Sequence, residues 1–334
     1  MLAVRNWLHK IPMPVWGNSD PYFILSHTDK ILHDFTSLLS GTNSHNLTPY
    51  IYLNEDNAYE DLITKCRPYY LCREEAKVIK ENLPKISKDL ADTDILVELG
   101  PGSKSSFNKK TLPILESLPS LKKYISVDIC KESAKTAAKL ASQSKNAPFC
   151  SYVVESFNSF KTLKSANKKH TFVFFGSTLG NFSEDEMNGL LQNVSKNMNV
   201  GDKILITLDT NQDYSSIKQA YNNKYIKSLF LNSLIVVSEK LNLELDLDRI
   251  ALRFNWNEYT QEVEYYFVSS ENIDLEYEGA KFTIKKGEKY FIVRSRKFST
   301  FQLEKIFSQH NLDLLKTYKD ANNRMVVFSF IKKC

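Results

Sequence analysis

Short apolar runs alternate with segments of helical spacing between residues 94 and 209, and this rhythm constrains the fold more than any other feature of the chain. The runs that we interpret as strands are ILVEL from residue 95, YISVD from 124, SYVV from 151, TFVFF from 171 and ILITLD from 204. Apolar runs of this kind are typical of parallel strands buried on both faces, and the helical segments between them suit crossover connections. We therefore predict an α/β fold built on a doubly wound parallel sheet.

Two helix starts in this pattern carry a capping box. Ser183 is followed three residues later by Glu186, and Ser299 is followed by Gln302 at the same spacing. In such a box the serine side chain accepts from a backbone N–H of the first turn, and the acid or amide side chain reaches back to the serine N–H. We predict a helix directly after each serine.

The alternation changes between residues 213 and 296. A helical pattern from 214 to about 241 is followed by alternating apolar and polar runs with glycines near turns, which is typical of antiparallel hairpins. We predict an α+β domain at 213–296, inserted into a core formed by 76–212 and 297–334. A helical and irregular amino-terminal segment, 1–75, precedes them.

Composition and cysteine spacing narrow the class of protein. The 334 residues carry 44 basic and 39 acidic side chains, a formal net charge of +5, and the lysines are scattered between acids. Such a surface predicts no nucleic-acid partner, and no apolar run is long enough to span a membrane. The five cysteines form no C-x-x-C pair and lie near none of the six histidines in metal-ligand spacing. We expect a cytoplasmic monomer with reduced thiols, no metal and a small-molecule substrate.

The ends of the first two predicted strands suggest a nucleoside site. Ligands of doubly wound sheets bind beyond the carboxyl ends of the strands. The first strand runs into Gly100 and Gly102, a G-x-G without the third glycine of a dinucleotide fingerprint, and the second ends in Asp128, placed for a ribose diol. Neither feature is specific alone, because such a glycine is usually a turn and such an aspartate is often a helix cap. Together they favour a nucleoside, and the missing glycine favours S-adenosylmethionine over NAD.

The segment FFGSTLGNF, residues 174–182, places two glycines, two hydroxyls and a carboxamide directly after a buried strand. With VELGPGS, YISVDI and LITLDTNQD it resembles the histidine-specific methyltransferase family of the ergothioneine pathway, and the resemblance covers residue 48 to the end. It implies a class I, Rossmann-like methyltransferase core with an inserted α+β substrate domain. It also implies S-adenosyl-L-methionine as cofactor and an amino acid as substrate.

The resemblance assigns two sets of residues. The implied cofactor-binding positions are Gly100, Gly102, Lys110, Asp128, Ser156 and Phe157. The implied substrate-binding positions are Tyr52, Tyr70, Gly176, Asn181, Tyr221, Tyr265, Val293 and Ser295. Among the latter, Asn181 and Tyr221 match residues that grip the acceptor carboxylate, and Gly176 with Tyr52 matches the region that positions the amine. For any single tyrosine the alternative is ordinary half-buried packing, since the chain has 17 of them.

Three positions depart from the family pattern. Ser156 stands where the family has an acid that contacts the adenine amino group. Val293 stands where the histidine enzymes carry the glutamate that accepts from the imidazole, and Tyr265 replaces a methionine. Loss of a buried polar group that reads the substrate can cost about 10⁴ in discrimination. We therefore predict a larger or less polar acceptor than histidine, such as tryptophan or a derivative, methylated on its α-amino group.

No catalytic residue is named, because a sulfonium is already a good leaving group and the site need only desolvate the amine and align it. Three other interpretations stay open. One is a histidine Nα-methyltransferase making hercynine, a betaine. Another is an NAD-dependent oxidoreductase, disfavoured by the missing third glycine. The third is a non-catalytic binding module that has kept the fold, which Ser156 leaves possible.

Overall fold

The structure is a computed structural model, and it describes residues 27–41, 47–52, 58–161, 165 and 167–333. The helices of the described residues are α1 (His27–Leu39), α2 (Ala58–Lys65), α3 (Leu71–Asp89), α4 (Lys104–Glu116), α5 (Lys131–Ser142), α6 (Glu184–Asn197), α7 (Tyr214–Tyr221), α8 (Lys224–Lys240) and α9 (Thr300–Ser308).

The strands follow the order expected from the apolar runs. In chain order they are β1 (Ile95–Leu99), β2 (Lys123–Asp128), β3 (Phe149–Val154), β4 (His170–Phe174), β5 (Lys203–Asp209), β6 (Ile250–Asn257), β7 (Glu262–Ser269), β8 (Ile273–Tyr277), β9 (Ala280–Ile284), β10 (Lys289–Arg296), β11 (Leu312–Lys319) and β12 (Met325–Lys332).

The chain forms two compact units. The first consists of Met1–Tyr59, in its described part, with Lys224–Asn255 and Glu264–Val293; the second consists of Glu60–Asn223, Trp256–Val263 and Arg294–Cys334. The predicted domain boundaries, which begin the inserted domain at 213 and end it at 296, stay a prediction.

A seven-stranded sheet is the framework of the second unit, in the order β11-β12-β5-β4-β1-β2-β3. The pairings among β1 to β5 are parallel, whereas β12 runs antiparallel to β5 and β11 antiparallel to β12. The chain reverses its direction of travel across the sheet between β1 and β4, so their carboxyl ends form the switch point at which such sheets bind ligands. The predicted fold class, α/β with a class I, Rossmann-like core, is confirmed.

Burial explains why these runs became strands. Every residue of β1 and β4 is buried. Their apolar side chains pack in one core with those of α6 and α9, including Val97, Phe172, Leu190 and Leu303. Burying an apolar side chain of this size stabilises the folded state by about 1.5–3 kcal/mol. Central strands of an α/β sheet therefore need no polar face.

Both predicted capping boxes are present. The Ser183 N–H donates to Glu186 Oε2 over 2.7 Å, and the Glu186 N–H donates to Ser183 Oγ over 3.2 Å. Ser299 and Gln302 make the equivalent pair of bonds at 2.9 and 3.2 Å. The helices α6 and α9 begin directly after the two serines, as predicted.

The prediction of one helix from 214 to about 241 is wrong in one respect, because the helix is interrupted. Asn222 leaves helical geometry, with φ −94° and ψ 67°. The Asn223 side chain donates to the carbonyl oxygens of Gln219 at 3.2 Å and Ala220 at 2.8 Å. Asparagine favours such local side-chain bonds over a continuous helix, so α7 ends here and α8 begins two residues later.

The first unit contains α1, α8 and the β8–β9 hairpin. The hairpin is antiparallel, as predicted, and its turn places Glu278 and Gly279 at φ +49° and +81°. Strands β6, β7 and β10 form a separate sheet in the order β10-β7-β6. The Asn232 side chain on α8 donates to the Ile51 carbonyl oxygen over 2.9 Å, which fixes the short turn Thr48–Tyr52.

The described ranges contain neither a membrane-spanning helix nor a cluster of metal ligands. No helix there has the length and apolar content needed to cross a membrane. In the same residues no group of three or more His, Cys, Asp or Glu side chains is placed to hold a metal ion.

Candidate functional site

The carboxyl end of β1 turns on two glycines with left-handed backbone. Gly100 has φ +64° and Gly102 has φ +69°. A Cβ on Gly100 would lie 3.2 Å from the ring of Phe157. Glycine therefore permits both the turn and the close approach of the aromatic ring.

Asp128 lies at the end of β2, the strand paired with β1 in parallel. Its Oδ1 accepts from the Cys130 N–H over 2.8 Å, and burial raises the pKa of its carboxyl above the ordinary value. Phe157 packs edge-on against Phe174 at 5.4 Å and stacks on Phe182 at 6.4 Å between ring centroids. The second unit thus places several predicted cofactor residues at or just beyond the carboxyl ends of β1, β2 and β3. They are Gly100 and Gly102, Asp128, and Phe157.

These residues fit S-adenosylmethionine. A Cβ at Gly100 would fill space beside Phe157, Asp128 offers carboxylate oxygens suited to ribose hydroxyls, and an aromatic ring is a surface on which adenine can stack. Ser156 directs its Oγ to its own turn, where it accepts from the Asn158 N–H over 3.3 Å. It offers a hydroxyl where the family pattern has a carboxylate.

Glu98, one residue before the end of β1, is a buried carboxyl that the sequence analysis did not assign a role. It accepts from the hydroxyls of Thr111 and Tyr124. Burial raises its pKa to about 7 although both hydrogen bonds act in the opposite direction. It holds α4 and β2 against β1 directly below the glycine turn.

Lys110 lies on α4 and is buried, and its Nζ pairs with Glu75 Oε2 on α3 over 3.0 Å. The other oxygen of Glu75 accepts from the Gly176 N–H over 2.5 Å and from the Thr207 hydroxyl. Burial alone would lower the pKa of Lys110, but the Glu75 carboxylate outweighs it and the pKa lies above the ordinary value. One carboxylate thus contacts a predicted cofactor residue, Lys110, and a predicted acceptor residue, Gly176.

The segment after β4 has an unusual backbone. Gly176 has φ +90°, and Ser177 is left-handed at φ +56°. The Ser177 Oγ accepts from the Asp209 N–H over 2.9 Å, which ties this segment to the end of β5. Asn181 closes the short helical turn Thr178–Asn181, is half-buried, and its carboxamide forms no hydrogen bond within the described part of the chain. A ligand carboxylate could accept from it.

Gly180 brings this segment against the end of β10. A Cβ there would lie 2.8 Å from the Arg296 carbonyl oxygen and 3.2 Å from its nitrogen, so the two backbones touch directly. Arg296 is itself fixed by Glu262, whose Oε1 accepts from Nε over 2.5 Å. The neighbours of Arg296 in the chain, Ser295 and Lys297, are therefore held close to the strand-end segment.

A buried ion pair joins three of the residues predicted to bind the acceptor. Asp209 and Lys297 are both 0% exposed, and Oδ2 and Nζ lie 2.8 Å apart. The Lys297 ammonium also donates to the Tyr221 hydroxyl over 2.8 Å and to Ser295 Oγ over 2.9 Å. The Tyr70 hydroxyl donates to Asp209 Oδ2 over 2.8 Å. Tyr70, Tyr221 and Ser295 thus meet at two charges that the sequence analysis did not single out.

The surroundings favour the ammonium form of Lys297 and the neutral form of the Tyr70 hydroxyl. Burial would lower the pKa of Lys297, but Asp209 and Tyr221 raise it above the ordinary value. Burial raises the pKa of Tyr70, and the Asp209 carboxylate raises it further. Asn211 completes the group by donating to the Tyr70 hydroxyl over 3.0 Å and, through its N–H, to Asp209 Oδ1 over 3.1 Å.

The remaining predicted acceptor residues belong to the first unit. Tyr265 is buried on β7, with its ring centroid 4.8 Å from that of Phe230 and 5.9 Å from that of Phe254, both edge-on. Val293, on β10, is 3% exposed. The side chain of Tyr52 lies outside the described residues. The assignment of these residues to the acceptor stays a prediction.

Asp209 could have been found from the sequence, because it ends an apolar strand as Asp128 does. Lys297 lies in the segment VRSRKFS, where a surface lysine was the simpler interpretation. Glu75 follows another glutamate on a helix of mixed charge. No local pattern distinguishes its buried side chain from solvated ones.

Curated relatives of the chain include methyltransferases for different amino acids. Over 211 residues, 62% of this chain, it is 25% identical to a histidine N-alpha-methyltransferase of Mycobacterium tuberculosis. Over 185 residues, 50% of this chain, it is 24% identical to the 4-dimethylallyltryptophan N-methyltransferase easF of Trichophyton verrucosum. The matches span 64% and 52% of these relatives, less than two thirds of the length of either.

A solved S-adenosylmethionine-dependent methyltransferase from Clostridium acetobutylicum aligns with 83% of this chain and 96% of its own, at 13% identity and a TM-score of 0.45. The assignment of the chain to a family rests on sequence similarity and not on this structural likeness. The family model described as histidine-specific methyltransferase, SAM-dependent, matches residues 37–332. Because that match covers most of the sequence, the chain belongs to the histidine-specific, S-adenosylmethionine-dependent methyltransferase family.

Proposed function

We propose that the protein is an S-adenosylmethionine-dependent N-methyltransferase that acts on the α-amino group of an amino acid with a large aromatic side chain, tryptophan or a derivative. The cofactor supplies a methyl carbon bonded to a sulfonium leaving group. As the amine nitrogen forms its bond to that carbon, the carbon–sulfur bond breaks with its electron pair kept by sulfur, and the nitrogen releases one proton to water.

The observation that carries the proposal is the meeting of Tyr70, Tyr221 and Ser295 at the Asp209–Lys297 pair. Tyrosines that serve only in packing need no ion pair beside their hydroxyls. Taking the charges of Asp209 and Lys297 out of water is costly, so ordinary packing does not explain the pair. Its position after β5, beside the glycine-containing end of β4, is where doubly wound sheets bind ligands. This arrangement supports an amino-acid site at the carboxyl ends of these strands.

Asn181 supplies the second part of the acceptor argument. Its carboxamide is half-buried and forms no hydrogen bond with the described residues. An amide N–H₂ is a donor suited to a carboxylate oxygen. The family resemblance assigns Tyr221 to the same carboxylate, and a fixed carboxylate would also fix the amine, which is carried on the neighbouring carbon.

Val293 supports an aromatic acceptor over histidine. An isopropyl group cannot accept from an imidazole N–H. Val293 is 3% exposed, and burying an imidazole N–H without a hydrogen-bond partner would be costly. A curated relative is named for a tryptophan derivative, which agrees with this direction. Histidine remains the second candidate, favoured by the relative named for it and by the retained Ser295.

The residues of the site are suited to positioning rather than to acid–base chemistry. A neutral amine must be desolvated and held in line with the methyl carbon at about 3–3.5 Å. Burial disfavours an ammonium ion, so the enclosed amine loses its proton more readily. We therefore assign Gly176, Asn181 and Tyr221 to alignment and name no general base.

Rates with purified protein test the proposal. Protein, S-adenosylmethionine and either tryptophan or histidine should give a higher rate with tryptophan. Val293→Glu should raise the ratio of histidine to tryptophan rates by about tenfold or more, whereas the apolar control Val293→Met should not. A faster rate on histidine than on tryptophan and tyrosine would sink the aromatic assignment.

Three expectations about partners and location stay predictions. They are a monomeric state, a small-molecule substrate with no nucleic-acid or membrane partner, and a cytoplasmic location. Light scattering during gel filtration would test the first, since a molar mass twice that of the 38.5 kDa chain would show a dimer.

A further inference from the structure

We infer that the protein has a second binding site, formed by Arg67, Arg73 and Arg324, for a small molecule that carries a phosphate group. All three arginines belong to the second unit. The inference goes beyond the proposed function and does not depend on it, because neither S-adenosylmethionine nor an amino acid contains phosphate.

The three arginines line one cavity of about 310 Å³. Arg67 lies in the turn before α3, Arg73 lies in the first turn of α3, and Arg324 directly precedes β12. The volume lies at the lower end of the range for small-molecule sites, about 300–1,000 Å³. The cavity can therefore hold a phosphate group together with a short carbon skeleton.

Two of the guanidinium groups have unused donors. Arg67 and Arg73 are exposed, and neither forms a hydrogen bond or an ion pair with a residue that the structure describes. Arg324 is fixed more firmly. Its Nη1 lies 3.4 Å from Glu74 Oε1, and its guanidinium carbon lies 5.3 Å from the centroid of the Tyr70 ring.

A single exposed arginine is ordinary solvated surface. Three that converge on one cavity repel one another, and an anion between them would relieve that repulsion. The shared cavity is therefore the observation that carries the inference.

The acids beside the cavity do not neutralise the arginines. Among the described residues, Asp213 is the one acid in the lining, and its two oxygens already accept from the Ser215 N–H over 3.2 Å and the Ser216 N–H over 3.1 Å. Glu74 pairs with Arg324, and burial raises the pKa of its carboxyl. Three cations face two carboxyl groups, which leaves an excess of positive charge.

Phosphate matches this lining better than a carboxylate does. A guanidinium is a planar fork of donors that can bind either group through two parallel hydrogen bonds. One carboxylate offers two oxygens, whereas a phosphate ester offers three terminal oxygens and a charge of about −1.5 to −2. Ser215 and Ser216 also line the cavity, and their hydroxyls can donate to the same group.

Calorimetry on the full protein, saturated with S-adenosylhomocysteine, tests the site with three probes at constant ionic strength. The probes are glycerol 3-phosphate, inorganic phosphate and succinate, a dianion of similar size without phosphorus. Both phosphate compounds should bind with a dissociation constant below about 1 mM, because two hydrogen bonds to charged groups supply affinity of that order. Succinate should bind at least about tenfold more weakly.

The order of the two phosphate probes distinguishes the source of the group. Tighter binding of glycerol 3-phosphate supports a phosphorylated metabolite as occupant, and tighter binding of inorganic phosphate supports the free anion. In either case the affinity should fall as sodium chloride is added, because exposed charges are screened by salt.

The double variant Arg67→Gln/Arg73→Gln should bind glycerol 3-phosphate at least about tenfold more weakly. Its unfolding midpoint and its affinity for S-adenosylhomocysteine should match the wild type, because both side chains are exposed. Lys135→Gln/Lys139→Gln is the matched control. It removes the same charge from two exposed side chains of α5 that do not line the cavity, and it should keep the affinity.

Asn181→Ala separates this site from the acceptor residues and should leave phosphate binding unchanged. The inference is overturned if the wild type binds neither phosphate compound below about 1 mM, or if succinate binds as tightly as they do. It is also overturned if Arg67→Gln/Arg73→Gln keeps the affinity of the wild type, or if Asn181→Ala loses it. The proposed function fails by a different readout, the absence of methyl transfer to any amino acid.

Discussion

The Glu75 carboxylate accepts a hydrogen bond from the Gly176 N–H over 2.5 Å, and this bond joins α3 to the end of β4. Gly176 has φ +90°, a conformation that other residues rarely adopt. The remaining oxygen of Glu75 pairs with Lys110 at 3.0 Å. Glu75 thereby fixes the position of a backbone segment assigned to the amine and of a side chain assigned to the cofactor.

Glu75→Gln should lower the free energy of unfolding by about 3–5 kcal/mol, because it leaves the Lys110 ammonium buried without its counter-ion. Urea denaturation followed by circular dichroism measures the change. Glu276→Gln is a matched control, since its pair with Lys281 is 60% and 82% exposed and should contribute less than about 1 kcal/mol. A loss below about 1 kcal/mol for Glu75→Gln would contradict the account of the pair.

Asn181→Ala should weaken binding of the acceptor by about 10- to 150-fold through KM, because one charge-assisted hydrogen bond to the carboxylate is lost. The affinity for S-adenosylhomocysteine should stay within about twofold, which calorimetry checks. Equal losses for acceptor and cofactor would argue against the assignment of Asn181 to the carboxylate.

Gly180→Ala should destabilise the protein by about 1–3 kcal/mol and disturb acceptor binding, because the new Cβ would lie 2.8 Å from the Arg296 carbonyl oxygen. Gly189→Ala on α6 is the control. There the Cβ would meet only the exposed Asn158 side chain, at 3.3 Å, and alanine favours the helix by about 1 kcal/mol. Equal effects of the two substitutions on thermal unfolding would show that the backbone contact at Gly180 is not tight.

Glu98 should make stability depend on pH. Its pKa is about 7 in the folded protein against 4.5 for an ordinary glutamate. The folded state therefore binds the proton more tightly, and the free energy of unfolding should fall as pH rises from about 4.5 to about 7, by at most about 3 kcal/mol. Below that window the contribution is complete, and above it the contribution is lost.

Glu98→Gln should flatten this part of the profile. The measurement is urea denaturation at several pH values for both proteins, with the difference between them plotted against pH so that other titrating groups cancel. A difference that is constant between pH 4.5 and 7 would exclude a raised pKa for Glu98.

The strands and helix starts could be predicted because their signals are local. The apolar side chains of the run ILITLD are enough to predict a buried strand. The two residues of the first capping box, Ser183 and Glu186, are only three positions apart. The helix break at Asn222 was missed because tertiary packing decides whether one poor helix former ends a helix.

The charged groups of the site could not be predicted in the same way. Lys110 meets Glu75 across 35 positions, and Lys297 meets Tyr221 across 76. The fold decides which lysine side chain is buried, because the sequence around a single lysine does not distinguish a buried side chain from an exposed one. The resemblance to a family predicted Tyr70, Tyr221 and Ser295 as acceptor residues, which stays a prediction, and the charged groups that contact them emerged only from the structure.

The most direct test of the central claim is a competition assay with all twenty amino acids. Purified protein is incubated with S-adenosylmethionine and the equimolar mixture, and mass spectrometry identifies every product that has gained methyl groups. The account predicts that Nα-methylated tryptophan is the main product and that S-adenosylhomocysteine forms in step with the methyl groups transferred. Methylated histidine as the main product, or no methylated amino acid at all, would contradict it.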